Sequence, residues 1–193
     1  LSPNKIPFSF DGKNLNAQKA AARRAANLVT GVTKQTKAAI RAVIVRAFSD
    51  GISPYDAARL VRSMVGLTKQ QALAAYAFRV ELINSGLPIA RVNRRVDAYA
   101  KKALKRRALT ISRTEIVGSL AEGQEAAWTQ AQSQGYLLST AKKEWMTTPI
   151  DACKICIPLD GQQVLLTQPF HSIIGPLMRP TAHPNCRCVL APA

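Results

Sequence analysis

The chain has 193 residues, with 27 Lys and Arg against 11 Asp and Glu, a formal net charge of +16 and a pI near 10.3. That length allows one large domain or two small ones with a real core, and the charge directs the chain toward polyanions, nucleic acid first and acidic protein surfaces second. A membrane partner is disfavoured, because the sequence has neither eighteen consecutive apolar residues nor a secretory h-region after Leu1.

The charge is unevenly placed. Residues 1–108 hold 21 basic and 5 acidic residues, whereas residues 109–193 hold 6 of each. A basic front half is therefore joined to a neutral back half, and the expected fold class is α+β, mainly α-helical. Three regions are expected: an extended arm over 1–13, a basic helical domain over 14–135 and a small β subdomain over 136–193.

The arm contains Pro3, Pro7 and Gly12, with Phe8 and Phe10 at a spacing of two. From Asn14 to Phe48 helix formers dominate, and Leu28, Val32, Ala39, Val43 and Ala47 keep helical spacing. Gly31 and Thr33 are candidates to bend or split this segment, and Asp50-Gly51 ends it. Ser53-Pro54-Tyr55-Asp56 has the chemistry of a helix start: an N-cap, a proline at the first position and an acid at the third. That helix is expected to reach about Val65 and stop at Gly66. Thr68 caps the next, through Ala72, Ala75, Phe78, Val80 and Leu82 to Asn84, and Gly86-Leu87-Pro88 resets the chain.

Residues 88–109 predict the most charged helix. Val92, Val96, Tyr99 and Ala103 form its apolar stripe, while Arg91, Arg94, Arg95, Lys101, Lys102, Lys105, Arg106 and Arg107 occupy much of the rest. Asp97 is the single acid among them, so few intrahelical pairs offset the repulsion. These eight bases are the candidate nucleic-acid-binding residues. Few aromatics are interleaved, so contact to phosphates without sequence preference is expected. A solvated helix face and a docking face for an acidic partner are the alternatives.

Ser112 opens a further helix, continuous or not with the one before it. Ser112 as N-cap and Glu115 three residues on have capping-box spacing. Ile116, Leu120, Ala127 and Ala131 line one side, Trp128 flanks them, and Gly135 ends the helix. Beyond it, Lys143–Thr147, Gln163–Leu166 and Cys188–Leu190 read as short strands.

All four cysteines and both histidines fall in this last region. The first knot is D-A-C-K-I-C, with Cys153 and Cys156; the second is H-P-N-C-R-C, with His183, Cys186 and Cys188. Two cysteines separated by two residues can wrap both sulfurs onto one tetrahedral zinc, and the second knot can supply the other ligands. Cys153, Cys156 and Cys186 are the favoured ligands, with either His183 or Cys188 fourth. A disulfide joining the knots is the rival reading. A thioredoxin-like site fits poorly, since no strand–CxxC–helix pattern surrounds Cys153. His171, outside both knots, reads as a loop histidine.

The order W-x5-D-x-C-x2-C-x2-L-D-G from Trp145 to Gly161, ending in H-P-N-C-R-C, resembles the carboxyl-terminal signature of the phage Mu F-like minor head proteins, the phage head-morphogenesis family. An S-R-T-E at Ser112–Glu115 also resembles one that opens a helix in that family. The resemblance covers roughly residues 50–190. Gly175-Pro176 and Pro180 are a looser version of the usual Pro-rich approach to the final histidine.

The resemblance implies a structural, non-enzymatic minor capsid protein inside the virion near the portal, serving head assembly, DNA packaging or ejection. Its partners would be the portal protein, the major capsid or scaffolding protein, and double-stranded DNA. Arg113 and Glu115 are read as structural, a cap plus a buried ion pair tying helix to tail. The alternatives are a free zinc-containing nucleic-acid-binding protein and an HNH-like nuclease, for which two histidines leave little over for catalysis.

Overall fold

One helix of 45 residues carries most of the architecture in the computed structural model, which describes residues 15–24, 32–62, 65–148 and 150–193. Five helices come first: α1 (Leu15–Arg24), α2 (Lys34–Ser49), α3 (Pro54–Arg62), α4 (Lys69–Asn84) and α5 (Ile89–Ser133). Three short strands follow, β1 (Lys142–Met146), β2 (Gln163–Leu165) and β3 (Val189–Pro192). The fold is thus mainly α with a small antiparallel sheet at its end, as expected. The arm over residues 1–13 and Gly31 lie outside the described residues.

Local chemistry sets the helix starts. Thr33 Oγ1 accepts from the Thr36 amide at 3.1 Å, so this residue caps α2 rather than merely bending the chain. Pro54 opens α3 as the sequence suggests. Thr68 caps α4 in a reciprocal capping box: its hydroxyl accepts from the Gln71 amide at 3.1 Å, and Gln71 Oε1 accepts from the Thr68 amide at 3.0 Å.

The expected helix start at Ser112 is corrected. Ser112 lies in the middle of α5, because residues 89–133 contain no proline and the run around it no glycine. Its amide belongs to a continuing helix, so no orphan N–H awaits a cap. The hydroxyl is buried, with no hydrogen-bond partner among the described residues.

Two apolar cores sit along α5. The first joins Ile40, Ile44 and Ala47 of α2, Ala57, Ala58 and Val61 of α3, and Ala108 and Ile116 of α5. The second packs Trp145, Leu159, Leu166, Phe170, Leu190, Cys156, Cys186 and Cys188 against Ala121 and Trp128 of α5. Trp145 is fully buried, edge-on to Phe170 with ring centroids 5.3 Å apart. Of the apolar side expected after Ile116, Ala127 and Ala131 are buried, whereas Leu120 is largely exposed.

β1 is the central strand, in the order β2-β1-β3. Its pairings Lys143↔Val164 and Trp145↔Leu190 fix the register. Alternation then puts Lys143 on the same inward face as Trp145. Lys143 Nζ is met there by Glu125 Oε1 at 2.5 Å and by the Met178 carbonyl at 2.9 Å. Arg179 donates to the other oxygen of Glu125. A buried cation on the sheet is thus anchored to an acid on the helix, which fixes the tail on α5.

Candidate metal centre

The two cysteine knots meet within the second core, beside Trp145 and against α5. In the first, the Cys153 carbonyl accepts from the amides of Cys156 at 2.9 Å and Ile157 at 3.0 Å, and Pro158 lies in the 3₁₀ turn Ile157–Leu159 that follows. This tight turn brings the two sulfurs to one side. The Asp160 carboxylate accepts from the Thr147 amide at 2.7 Å and lies below the usual carboxylate range for that reason. Gly161, at φ 72°, gives its amide to the Trp145 carbonyl. The D and G of L-D-G thus close the loop back onto β1.

The second knot turns at Asn185, whose φ is 64°, a conformation asparagine tolerates. Two threonines of α5 hold it. Thr114 Oγ1 accepts from the Asn185 amide at 2.8 Å, and Asn185 Nδ2 donates to Thr110 Oγ1 at 3.0 Å. Arg187 then donates to the carbonyls of Ile150 at 3.0 Å and Asp151 at 3.2 Å, joining the second knot to the first.

The result is a cluster of five possible ligands. His183 Nε2 lies 3.1 Å from Cys153 Sγ and 3.3 Å from Cys156 Sγ, while Cys156 Sγ lies 3.9 Å from Cys186 Sγ. Ligand atoms at 2.0–2.3 Å from a tetrahedral zinc are separated by about 3.8 Å for two sulfurs and about 3.5 Å for sulfur and nitrogen. The Cys156–Cys186 separation matches the sulfur–sulfur edge, and the two separations from His183 are about 0.2–0.4 Å shorter than the sulfur–nitrogen edge. Cys156 also groups closely with Cys186 and Cys188, so it is common to both halves of the cluster. A cavity of about 50 Å³ lies among the five. His183 Nδ1 is 2.8 Å from the Pro184 carbonyl, which can only accept; Nδ1 therefore carries the proton and Nε2 presents its lone pair to the sulfurs. The residues present fit a metal ion.

Electrostatics divide the four thiols, favouring the thiolate at Cys153 and Cys186 and the protonated thiol at Cys156 and Cys188. A hydrogen bond from Cys188 holds the Cys186 thiol down to about 5, against the effect of burial. Donating that bond, and burial, push Cys188 up. Burial pushes Cys156 up to about 12. For Cys153 burial is opposed and outweighed by bonds from the Cys156 and Ile155 amides, leaving the thiol below its ordinary value. His183 is raised: burial opposes this, but the Pro184 carbonyl and the neighbouring sulfurs favour the charged ring. All four cysteines are free rather than paired in a disulfide. His171 stands apart, its backbone bonded on both sides by Gln162.

Seven of the eight candidate phosphate-binding bases are exposed: Arg91, Arg94, Arg95, Lys101, Lys102, Lys105 and Arg106. At 100° per residue they occupy an arc of roughly 140° on α5, which borders its apolar stripe at Tyr99. Arg107 does not belong with them. It points the other way, is buried, and donates to the Gly66 carbonyl at 3.0 Å. Arg113 is likewise corrected: it reaches Tyr55 of α3, with the hydroxyl at 2.9 Å and the ring centroid at 5.5 Å, instead of tying the helix to the tail. Glu115 is buried in mid-helix, so like Ser112 it caps no helix start.

The sequence reading missed Thr110, Thr114 and the Lys143–Glu125–Arg179 group. Two threonines four apart in an otherwise Ala- and charge-rich helix, and a lysine in phase with Trp145 on a strand, were the available signals. No described helix is long and apolar enough to cross a membrane. No protein-family model, curated protein or solved structure matches the chain.

Proposed function

We propose that this chain is a structural component of a tailed-phage head, with a zinc-stapled tail clamped on a helix whose basic face meets packaged DNA. The observation that carries the structural part is how the tail motif is spent. Trp145 and Leu159 are core; Asp160 and Gly161 close a loop; Asn185 docks on α5; the cysteines and His183 face one another. Side chains used in this way build a clamp, which supports a structural role for the motif.

The zinc ligands in this reading are Cys153, Cys156, His183 and Cys186: Cys156 is shared by the close groups Cys153–Cys156–His183 and Cys156–Cys186–Cys188, so metal binding would draw Cys186 toward Cys153 and His183, with Cys188 packed beside them. Bound zinc would supply cross-linking free energy to a sheet too small to hold alone. The phage setting, with the portal and the major capsid or scaffolding protein as partners and the virion interior as location, rests on the sequence resemblance. The exposed basic arc of α5, which has Asp97 as its nearest acid in sequence, supports the DNA contact.

The test is a titration of duplex DNA and of portal protein, done separately across a salt series. DNA affinity should fall by about 0.9 log units per phosphate contact for each tenfold rise in salt. Replacing Lys101, Lys102, Lys105 and Arg106 together should flatten that slope and weaken all sequences alike. Absence of DNA binding at low salt, with portal binding retained, overturns the DNA contact. Absence of both overturns the head-component reading.

A further inference from the structure

Helix α4 is apolar on two opposite faces, and among the described residues only one of them is used. Ala75 and Leu82 are buried, and Phe78 stacks obliquely on Tyr99 of α5 at 5.2 Å. The other face carries Leu73, Tyr76, Val80 and Ile83, which are 57%, 66%, 38% and 42% exposed. A helix with a single buried face would place polar residues here. From 70 to 84 the only charged residues are Arg79 and Glu81, and Arg79 is drawn back to Asn93 of α5 at 2.5 Å. The stripe is therefore an uninterrupted apolar seam rimmed by Ala72 and Ala77, small residues that let another helix approach closely.

We infer that this seam pairs with the α4 seam of a second copy of the chain, the two helices running antiparallel about a two-fold axis. The steps from Leu73 to Tyr76, Val80 and Ile83 are three, four and three residues, a spacing symmetric about position 78. An antiparallel two-fold consequently sets Leu73 against Ile83 of the other copy and Tyr76 against its Val80. Self-complementarity of this kind is what an isologous interface requires.

Charge selects the same arrangement. The basic arc of α5 flanks the α4 seat: Arg95 lies over the Phe78 ring at 5.9 Å and Tyr99 packs on that ring at 5.2 Å, while the other six bases of the arc are exposed beside them. A layer ordered α5, α4, α4 and α5, with neighbours 8–10 Å apart, keeps the two α5 axes roughly 25–30 Å apart. That distance is well beyond the screening length of about 8 Å at physiological salt. A parallel pairing would bring both basic amino-terminal halves of α5 to the same end. One face of a 16-residue helix covers on the order of 400–500 Å² per partner, about half the usual interface, so pairing at tens of micromolar is expected.

The test is sedimentation equilibrium of the full, zinc-loaded, nucleic-acid-free chain from 5 to 500 µM (about this range). The mass should rise from that of a 20.9 kDa monomer toward twice that value. The variant Tyr76→Glu/Val80→Glu sets like charges together across the two-fold and should weaken pairing at least about tenfold. Tyr76→Lys/Val80→Glu sets opposite charges together and should recover most of that loss. Both positions are exposed, and circular dichroism should report unchanged helix content. A monomer at every concentration overturns the inference, and so does a double-Glu variant that pairs like the wild type. A mixed-charge variant no better than the double-Glu one overturns the antiparallel two-fold.

Discussion

Replacing Glu125 by Gln should be among the most damaging single changes that leave the backbone and side-chain volume nearly untouched. Glu125 accepts from Lys143 and Arg179, and the two cations differ in what they can do without it. Arg179 keeps 26% side-chain exposure and lies 3.7 Å from Glu122, so it can turn there. Lys143 has no such route. It is fully buried and, among the described residues, retains only the Met178 carbonyl at 2.9 Å and the face of Phe170 at 5.5 Å. Stranding a buried charge costs about 3–5 kcal/mol, and the acceptor that Gln keeps places this case near 3 kcal/mol. For a chain of this length each kcal/mol is worth roughly 2–4 °C, so melting should fall by roughly 6–12 °C. The assay is thermal unfolding followed by circular dichroism in zinc-saturated buffer. Adding Lys143→Met to Glu125→Gln removes the stranded charge and should recover at least half of the loss. A Glu125→Gln melt within about 2 °C of wild type would refute the reasoning, as would a double variant less stable than the single one.

The remaining expectations concern α5 and the clamp. Ser112→Ala should cost less than about 0.5 kcal/mol in thermal melts, because no cap is lost; a cost near 1 kcal/mol or above would restore the capping role. Thr114→Val keeps the shape but removes the acceptor for the Asn185 amide. It should lower stability by about 1–2 kcal/mol and zinc affinity by about 10- to 100-fold in chelator competition, and an unchanged affinity would mean that the knot holds its geometry without α5. Cys188→Ala should retain zinc in the same competition while Cys186→Ala loses it; the reverse result would exchange the two cysteines as ligands.

The tail was legible because its constraints are chemical and local. Clustered cysteines with C-x-x-C spacing announce a shared ligand cluster, and apolar alternation around Trp145 and Val164 announces strands. Helix starts at Pro54 and Thr68 were readable from capping chemistry for the same reason. What misled the reading of Ser112 and Glu115 was that capping-box spacing also arises inside an unbroken helix, where backbone bonds already satisfy every amide. Arg107 was grouped with its neighbours in sequence although its azimuth on α5 opposes theirs, and only the Gly66 carbonyl shows where it goes. The contacts of Thr114 with Asn185 and of Glu125 with Lys143 join residues 71 and 18 positions apart. Such pairings are set by how the sheet lies on the helix, which no local pattern encodes.

The metal clamp itself is tested most directly by elemental analysis combined with thiol counting on the full chain purified without added metal or reductant. About one zinc per chain is expected, with the thiols shielded until a chelator removes it, and Cys153→Ser should lower both metal content and melting temperature. Protein without metal, in which the four cysteines are consumed as two disulfides, would contradict the clamp.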